Sequence, residues 1–234
     1  MNKDNILFGI VGLLLGCIIG FVFANKVNQN NARDPGPVQS ASSNPNMLQG
    51  HPPVSENGTG GMMPEIAETI KRAKEEPNSF EAQMHAAEIY YKINRLEQAL
   101  EFFQKANKIK PDDYQAIVWL GNVNFDLERY ETAESWYTAA LAKNPNDVAV
   151  RTDLGLTFMS RKPQDLDRAI KEFQGSLQRD SNHKQTLQNI TAAYIRKGDA
   201  QKAKEYLERL EKVEPNSEAI ANLKKEIEGL QSKS

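Results

Sequence analysis

Cysteine and histidine are scarce in this chain of 234 residues. The one cysteine, Cys17, lies within an apolar stretch, so an internal disulfide framework and a thiolate metal site are both excluded. The three histidines, His51, His85 and His183, do not have the spacing of a metal-ligand set. The sequence therefore predicts a protein that holds neither a metal ion nor another cofactor.

An excess of charge of one sign is also lacking. The 29 basic and 31 acidic residues leave a net charge of -2, and the chain has neither a basic tail nor an acidic run. This balance gives no electrostatic reason to expect a nucleic acid as partner. The chain also contains no G-x-S-x-G, no H-E-x-x-H and no phosphate-binding loop. We therefore predict that the protein is not an enzyme and has no small-molecule substrate.

A long apolar run without charges or amide side chains follows a short tail at residues 1–5 and spans residues 6–24. As a helix it would be about 29 Å long, which is close to the thickness of the bilayer hydrocarbon core. Ile18, Ile19 and Phe21 extend the run beyond the apolar core of a typical cleaved signal peptide. The sequence predicts a single transmembrane helix that remains attached to the protein.

Two features of this segment leave alternatives open. The residues Leu14-Leu15-Gly16-Cys17 resemble a bacterial lipobox, in which the cysteine is lipidated, although apolar residues follow Cys17 where mature lipoproteins are usually polar. Lys3 before the run is balanced by Lys26 and Arg33 after it, so charge alone hardly distinguishes the two orientations. The short basic start favours a cytoplasmic N-terminus. We expect a single-pass protein of the bacterial inner membrane with an extracytoplasmic C-terminal body.

Small residues recur along one side of the predicted membrane helix. Gly9, Gly12, Gly16 and Gly20 follow one another at spacings of three and four residues, which lets a second helix backbone approach closely. This stripe predicts a homodimer through the membrane helix. The alternative is that glycine is simply frequent in membrane helices.

The composition changes sharply in residues 25–63, which are rich in Asn, Pro, Gly, Ser and Gln and contain few charges. Such a segment has too little apolar surface to offset the entropy lost on ordering. We predict a disordered linker that tethers the rest of the chain.

A repeat with a period near 34 residues occupies the remainder of the chain. Pro77, Pro111 and Pro145 stand 34 residues apart, and alanines recur at intervals of 34, 36 and 34 residues. These alanines are Ala99, Ala133, Ala169 and Ala203. A period of this length with fixed small, aromatic and proline positions is typical of stacked helix-turn-helix units, because one helical hairpin cannot bury its apolar face alone.

The residues at the repeated positions carry a family resemblance. In a unit that begins at Tyr114 they are Leu120, Gly121, Tyr130, Ala133, Tyr137, Ala140 and Pro145. The units that begin at Phe80 and Val148 repeat most of these residues, and the second of the two has two extra residues. A fourth unit begins at Lys184 and has Ile190 and Thr191 in place of leucine and glycine. The pattern resembles the tetratricopeptide repeat, whose first helix carries W-x2-L-G-x2-Y and whose second carries A-x3-F-x2-A before a proline.

The resemblance implies an all-α fold, a right-handed α-solenoid, after the membrane helix and linker. Its four units are residues 80–113, 114–147, 148–183 and 184–216, with a capping half-repeat at 64–77 and a capping helix at 217–234. Serine or aspartate just before each of the first three units is expected to cap the first helix. Small residues such as Gly121 and Gly155 are expected to let the two helices of a unit approach closely, and Trp119 and Trp136 to fill the core.

In tetratricopeptide proteins the first helix of each unit lines a concave groove. By this resemblance, the groove is lined by Met84, Glu88, Tyr91, Val118, Asn122, Phe125, Thr152, Leu156, Met159, Gln188, Ala192 and Ile195. Met84 and Glu88 stand where the members that grip acidic C-termini have lysine and asparagine, so that clamp is missing. A groove of apolar and amide side chains suits an amphipathic helix or an extended apolar peptide.

The functional prediction is a membrane-anchored scaffold or adaptor that binds a peptide or helical segment of a protein partner in this groove. A lipoprotein, or a biogenesis factor of the bacterial cell envelope that presents client segments as in cytochrome maturation, is an alternative based on family analogy. A structural homo-oligomer is the other.

Overall fold

The computed structural model describes residues 64–232, which form ten α-helices in an α-solenoid arrangement and no strand. The predicted membrane helix at 6–24, its glycine stripe, its lipobox and the linker at 25–63 lie outside the described residues. Within residues 64–232, no helix combines the length and the apolarity needed to cross a membrane. The helices are α1 (Pro64–Glu75), α2 (Phe80–Lys92), α3 (Leu96–Ile109), α4 (Tyr114–Asp126), α5 (Tyr130–Lys143), α6 (Val148–Ser160), α7 (Leu166–Leu177), α8 (Lys184–Lys197), α9 (Ala200–Val213) and α10 (Glu218–Gln231).

The helices pack chiefly against their neighbours in the chain. Pair 1 consists of α2 and α3, pair 2 of α4 and α5, pair 3 of α6 and α7, and pair 4 of α8 and α9. The second helix of each pair also packs against the first helix of the next pair. At one end α1 packs on α2, and at the other α10 packs on both helices of pair 4. Each pair thus buries its apolar face against the next, as the repeat period predicts.

Within a pair, a small residue of the first helix lies against a large residue of the second. A Cβ atom added to Gly121 would lie 2.5 Å from Cε1 of Tyr137, and one added to Gly155 would lie 2.5 Å from Cε1 of Phe173. Both separations are shorter than carbon atoms allow, so only glycine lets these rings lie on the helix backbone. In pair 4 the same position holds Thr191, and the second helix has leucine in place of the ring.

Side-chain caps begin three of the first helices. Oxygens of Ser79, Asp113 and Asp147 accept hydrogen bonds from backbone N–H groups three residues further on, at 3.3, 2.9 and 2.9 Å. The predicted N-caps are therefore confirmed for α2, α4 and α6. Helix α8 begins after His183, whose side chain does not cap the backbone.

The turns inside pairs 1, 2 and 4 each contain one residue in the left-handed conformation. Asn94, Glu128 and Gly198 have φ angles of 59°, 57° and 82°. Glycine adopts this conformation freely, whereas a glutamate there is strained. In pair 3 the two extra residues lengthen the turn, and the N–H of Asp165 donates to the carbonyl oxygen of Phe158 at 2.9 Å.

Aromatic rings fill the junction between pairs 1 and 2. The ring of Trp119 stacks on Phe103 with centroids 5.3 Å apart and meets Tyr91 edge-on at 5.1 Å. Trp119 and Trp136 both pack against the buried apolar cluster of this part of the fold. Both tryptophans are half-buried, so they pack against the core from its edge, and Trp119 fills the space between pairs 1 and 2.

Hydroxyl groups occupy the corresponding junction between pairs 3 and 4. The hydroxyl of Thr152 lies 2.6 Å from that of Thr186 and 2.9 Å from that of Ser176, and it donates to the carbonyl oxygen of Val148 at 2.7 Å. Nδ1 of His183 lies 2.6 Å from the Thr186 hydroxyl. Because all three hydroxyl-bearing side chains are fully buried, this network links the two pairs from the inside.

Candidate functional site

First helices of neighbouring pairs contact each other directly at two of the three junctions. The hydroxyl of Tyr91 on α2 donates to the carboxylate of Asp126 on α4. Helix α6 contacts α8, and the guanidinium of Arg196 reaches the carbonyl oxygen of Met159 at 3.4 Å. We call the surface formed by side chains of α2, α4, α6 and α8 the first-helix face. It is the surface on which the sequence places the groove.

Eight of the twelve predicted groove residues are half-buried, so each presents some of its surface to solvent. They are Glu88, Tyr91, Val118, Asn122, Phe125, Leu156, Gln188 and Ala192. They come from all four first helices, and none of them is fully exposed. Whether these eight contact a partner stays a prediction.

The other four predicted groove residues lie inside the fold. Met84, Thr152, Met159 and Ile195 are 7, 0, 5 and 9% exposed. Met84, Met159 and Ile195 belong to the buried apolar clusters, and Thr152 directs its hydroxyl into the junction between pairs 3 and 4. We therefore correct the prediction for these four residues, because packing between helix pairs already uses their side chains.

Three apolar side chains of the first-helix face combine partial exposure with firm support. Val118, Phe125 and Leu156 are half-buried, and each packs against the larger buried cluster of the fold. The ring of Phe125 also meets Tyr130 edge-on, with centroids 5.6 Å apart. Because their inner surfaces are fixed, these side chains can offer their outer surfaces to an apolar segment without being reordered.

Asn122 supplies a directed polar group between these apolar side chains. Its Oδ1 accepts a hydrogen bond from the hydroxyl of Tyr137 at 3.0 Å. That bond orients the amide, and its Nδ2 donates to no other described residue. An oriented amide donor of this kind can bind a carbonyl oxygen of an incoming peptide backbone.

Two aspartates beside this surface have altered acidities. Burial raises the pKa of Asp126 to about 6, although the hydrogen bond from Tyr91 acts in the opposite direction. Burial raises the pKa of Asp153 to about 7, and the negative charges of Asp147 and Asp126 raise it further. Burial and the charge of Asp126 also raise the pKa of the Tyr91 hydroxyl, which stays a neutral donor.

Asp153 is not among the predicted groove residues, although its spacing from Leu156 indicates a place near the groove. It precedes Leu156 by three residues on α6, so the two side chains share one side of the helix. At the corresponding position α4 has Trp119, which packs against pair 1. The sequence alone does not show that an aspartate replaces a packing residue there.

Two shallow depressions are lined chiefly by residues outside the first helices. One of about 290 Å³ is lined by Leu177 and Gln178 of pair 3 and by Tyr206 and Arg209 of pair 4. The other, of about 310 Å³, adjoins it beside Arg151. No predicted groove residue lines either depression. Among residues 64–232 there is also no group of three His, Cys, Asp or Glu side chains placed to hold a metal ion.

The family model for the tetratricopeptide repeat matches residues 65–120, 94–153 and 160–227, which together cover more than half of the chain. A search among curated proteins found no match.

Solved structures with the same arrangement include three repeat proteins. YrrB, described as a TPR protein with an unusual peptide-binding site, has a TM-score of 0.60 and 23% identity over 68% of this chain and 81% of its own. MamA from Desulfovibrio magneticus RS-1 has a TM-score of 0.60 and 21% identity, covering 65% and 85%. A tetratricopeptide repeat protein from Parabacteroides merdae has a TM-score of 0.60 and 15% identity, covering 66% and 60%. At these identities the likeness concerns the fold alone.

Proposed function

Because this chain belongs to the tetratricopeptide repeat family, we propose that it is a protein-interaction scaffold whose first-helix face binds a peptide or helical segment of a partner. The family's helix pairs serve as binding scaffolds, and their extended surfaces suit segments of other chains.

The observation that carries this proposal is the set of half-buried apolar side chains on the first-helix face. Val118, Phe125 and Leu156 are fixed from below by the core and come from two adjacent first helices. Asn122 adds an oriented donor beside them. Peptide-binding sites commonly combine apolar side chains with a few polar groups that bind the peptide backbone. YrrB, which has the same fold, is described as having a peptide-binding site, and this likeness supports the proposal.

We also propose that residues 6–24 anchor the scaffold in a membrane and that residues 25–63 hold it at a distance from the bilayer. The support is the length and apolarity of the first segment and the composition of the second. Extraction of native membranes with carbonate tests the anchor, since the full chain should stay in the pellet and a chain without residues 6–24 should not. Mass spectrometry of the N-terminal peptide distinguishes an intact helix from a lipidated Cys17.

The binding proposal is tested with a library of random 12-residue peptides selected on the full chain. The affinity of the selected peptides is then measured by fluorescence anisotropy for the chain and for the double variant Phe125→Glu with Leu156→Glu. Two carboxylates in the apolar surface should weaken binding at least tenfold, because each would have to be desolvated against an apolar ligand. Circular dichroism should show unchanged helicity.

The matched control is Gln104→Glu with Gln201→Glu, which adds the same charge at exposed positions of the second helices α3 and α9. It should bind the peptides as the unaltered chain does. A library that yields no binding peptide, or equal affinity for both double variants, would contradict the proposed function.

A further inference from the structure

One aspartate within residues 64–232 has a carboxylate without any partner. The other eight carboxylates accept a hydrogen bond or form an ion pair, as with Asp112 and Lys143 at 2.6 Å or Asp167 and Lys197. The partnered carboxylates belong to Asp112, Asp113, Asp126, Asp147, Asp165, Asp167, Asp180 and Asp199. Only Asp153 is left, and its side chain is half-buried on α6.

A half-buried carboxylate without donors is costly, because water can reach it only in part and no protein group replaces the missing hydration. Its neighbours increase this cost. The negative charges of Asp126 and Asp147 both act on Asp153, and within the described residues neither Asp126 nor Asp153 forms an ion pair with a lysine, an arginine or a histidine. The fold therefore leaves the negative charge of Asp126 and Asp153 without a cationic partner among residues 64–232.

The position of this charge connects it with the binding surface. Asp153 lies one turn before Leu156 on α6, so the two side chains share one side of that helix. The charge of Asp126, at the end of α4, acts on Asp153, which places the two carboxylates near each other and next to Leu156. A ligand seated on Phe125 and Leu156 would have the acidic pair within reach of its next side chains.

We propose that Asp126 and Asp153 receive a lysine or arginine side chain of the bound segment, so that the partner carries a basic residue next to an apolar one. This inference rests on the proposed function and specifies the chemistry of its ligand. A cationic side chain would supply the donors that Asp153 lacks, and arginine can donate to two carboxylates at once. An acidic segment would be repelled from the same place.

The peptides selected on the full chain provide the test. Lysine or arginine next to an apolar residue should be enriched among them relative to the unselected library. The double variant Asp126→Asn with Asp153→Asn keeps the shape of both side chains and removes their charge. It should bind the basic peptides at least tenfold more weakly and should select peptides without the basic residue.

Asp112→Asn with Asp167→Asn is the matched control, because it removes two exposed carboxylates elsewhere and should change the affinity less than twofold. Three results would overturn the inference: selected peptides without basic enrichment, equal binding by the Asp126→Asn and Asp153→Asn double variant, or enrichment of acidic peptides. If the selected peptides nevertheless bind the double variant Phe125→Glu with Leu156→Glu more weakly than the natural chain, the proposed function stands. Only the role of Asp126 and Asp153 is then wrong. If no peptide is selected, both fail together.

Discussion

The junction between pairs 1 and 2 is joined by aromatic rings, whereas the junction between pairs 3 and 4 is joined by hydroxyl groups. Trp119 stacks on Phe103 at 5.3 Å in the first, and Thr152 lies 2.6 Å from Thr186 in the second. Ring packing tolerates small shifts of one helix pair against the next, but hydrogen bonds need their partners at about 3 Å. The same repeated unit can therefore be joined to the next by buried aromatic surface or by hydrogen bonds. The hydrogen bonds tolerate smaller changes in the relative position of the two pairs.

The junction between pairs 2 and 3 combines a hydroxyl hydrogen bond, from Tyr114 to the carboxylate of Asp147 at 2.6 Å, with ion pairs of Glu134. At the position of Trp119, pair 3 has the half-buried Asp153, whose carboxylate forms no hydrogen bond among residues 64–232. A position that holds a packing ring at one junction thus holds an acidic side chain at the next. This difference is one reason for proposing that a ligand binds at the middle of the first-helix face.

Removing the ring of Trp119 from the junction between pairs 1 and 2 should have a greater effect on stability than any other substitution discussed below. Trp119→Ala should lower the free energy of unfolding by about 2–4 kcal/mol, because it removes both ring contacts and leaves a cavity. Urea unfolding followed by circular dichroism measures it. Trp119→Phe keeps one ring and should lose less. A loss below about 0.5 kcal/mol for the alanine variant would show that the rings do not hold these pairs together.

The junction between pairs 2 and 3, which contains Asp153, should make the stability of the protein depend on pH. The folded-state pKa of Asp153 is about 7, above its unfolded value, so the folded protein binds the extra proton and loses this advantage as the pH rises. Stability of the natural chain relative to Asp153→Asn should therefore fall between about pH 4 and pH 7, leaving the variant about 1–3 kcal/mol more stable at pH 8. Melting curves across this range measure the difference. Asp167→Asn at an exposed site should show no such trend, and a flat difference for Asp153→Asn would contradict the burial of its charge.

The hydroxyl junction should show coupling between its members. Thr152→Val and Thr186→Val should each cost about 0.5–2 kcal/mol, because each leaves buried partners without a hydrogen bond. The double variant should cost less than the two single variants together, since it removes the mutual bond from both sides. A double-mutant cycle by urea unfolding measures this coupling. Strict additivity would mean that the two hydroxyls do not act together.

The smallest expected effect concerns a turn and leaves every junction intact. Glu128→Gly should raise the free energy of unfolding by about 0.5–1 kcal/mol, because glycine adopts the left-handed conformation without strain. The pairing of the helices and the binding of peptides should stay unchanged. Glu131→Gly, inside α5, should instead destabilise the protein by about 1 kcal/mol. If both variants change the free energy of unfolding in the same direction, Glu128 is not strained.

The repeat period predicts an all-α solenoid, and the described residues form one. The first helices begin at Phe80, Tyr114, Val148 and Lys184, where the units were placed, because small, aromatic and proline residues occupy positions that a helical hairpin requires. The caps followed from single residues such as Asp113 and Asp147.

The candidate site was less predictable, because it depends on how neighbouring pairs pack. The same unit position is half-exposed in Val118 and fully buried in Thr152, since the hydroxyl of Thr152 bonds across its junction. Asp153 was missed for a related reason. The role proposed for it depends on its having no hydrogen-bond partner among residues 64–232, and the residue pattern does not reveal such an absence.

Mapping where a selected peptide lies on the full chain shows whether the first-helix face binds a segment of another chain. The peptide carries a photoreactive benzophenone side chain, and mass spectrometry locates its adducts after illumination. We predict adducts on α4 and α6, around Val118 and Leu156. Adducts confined to the second helices α7 and α9, around Gln178 and Arg209, would contradict the account.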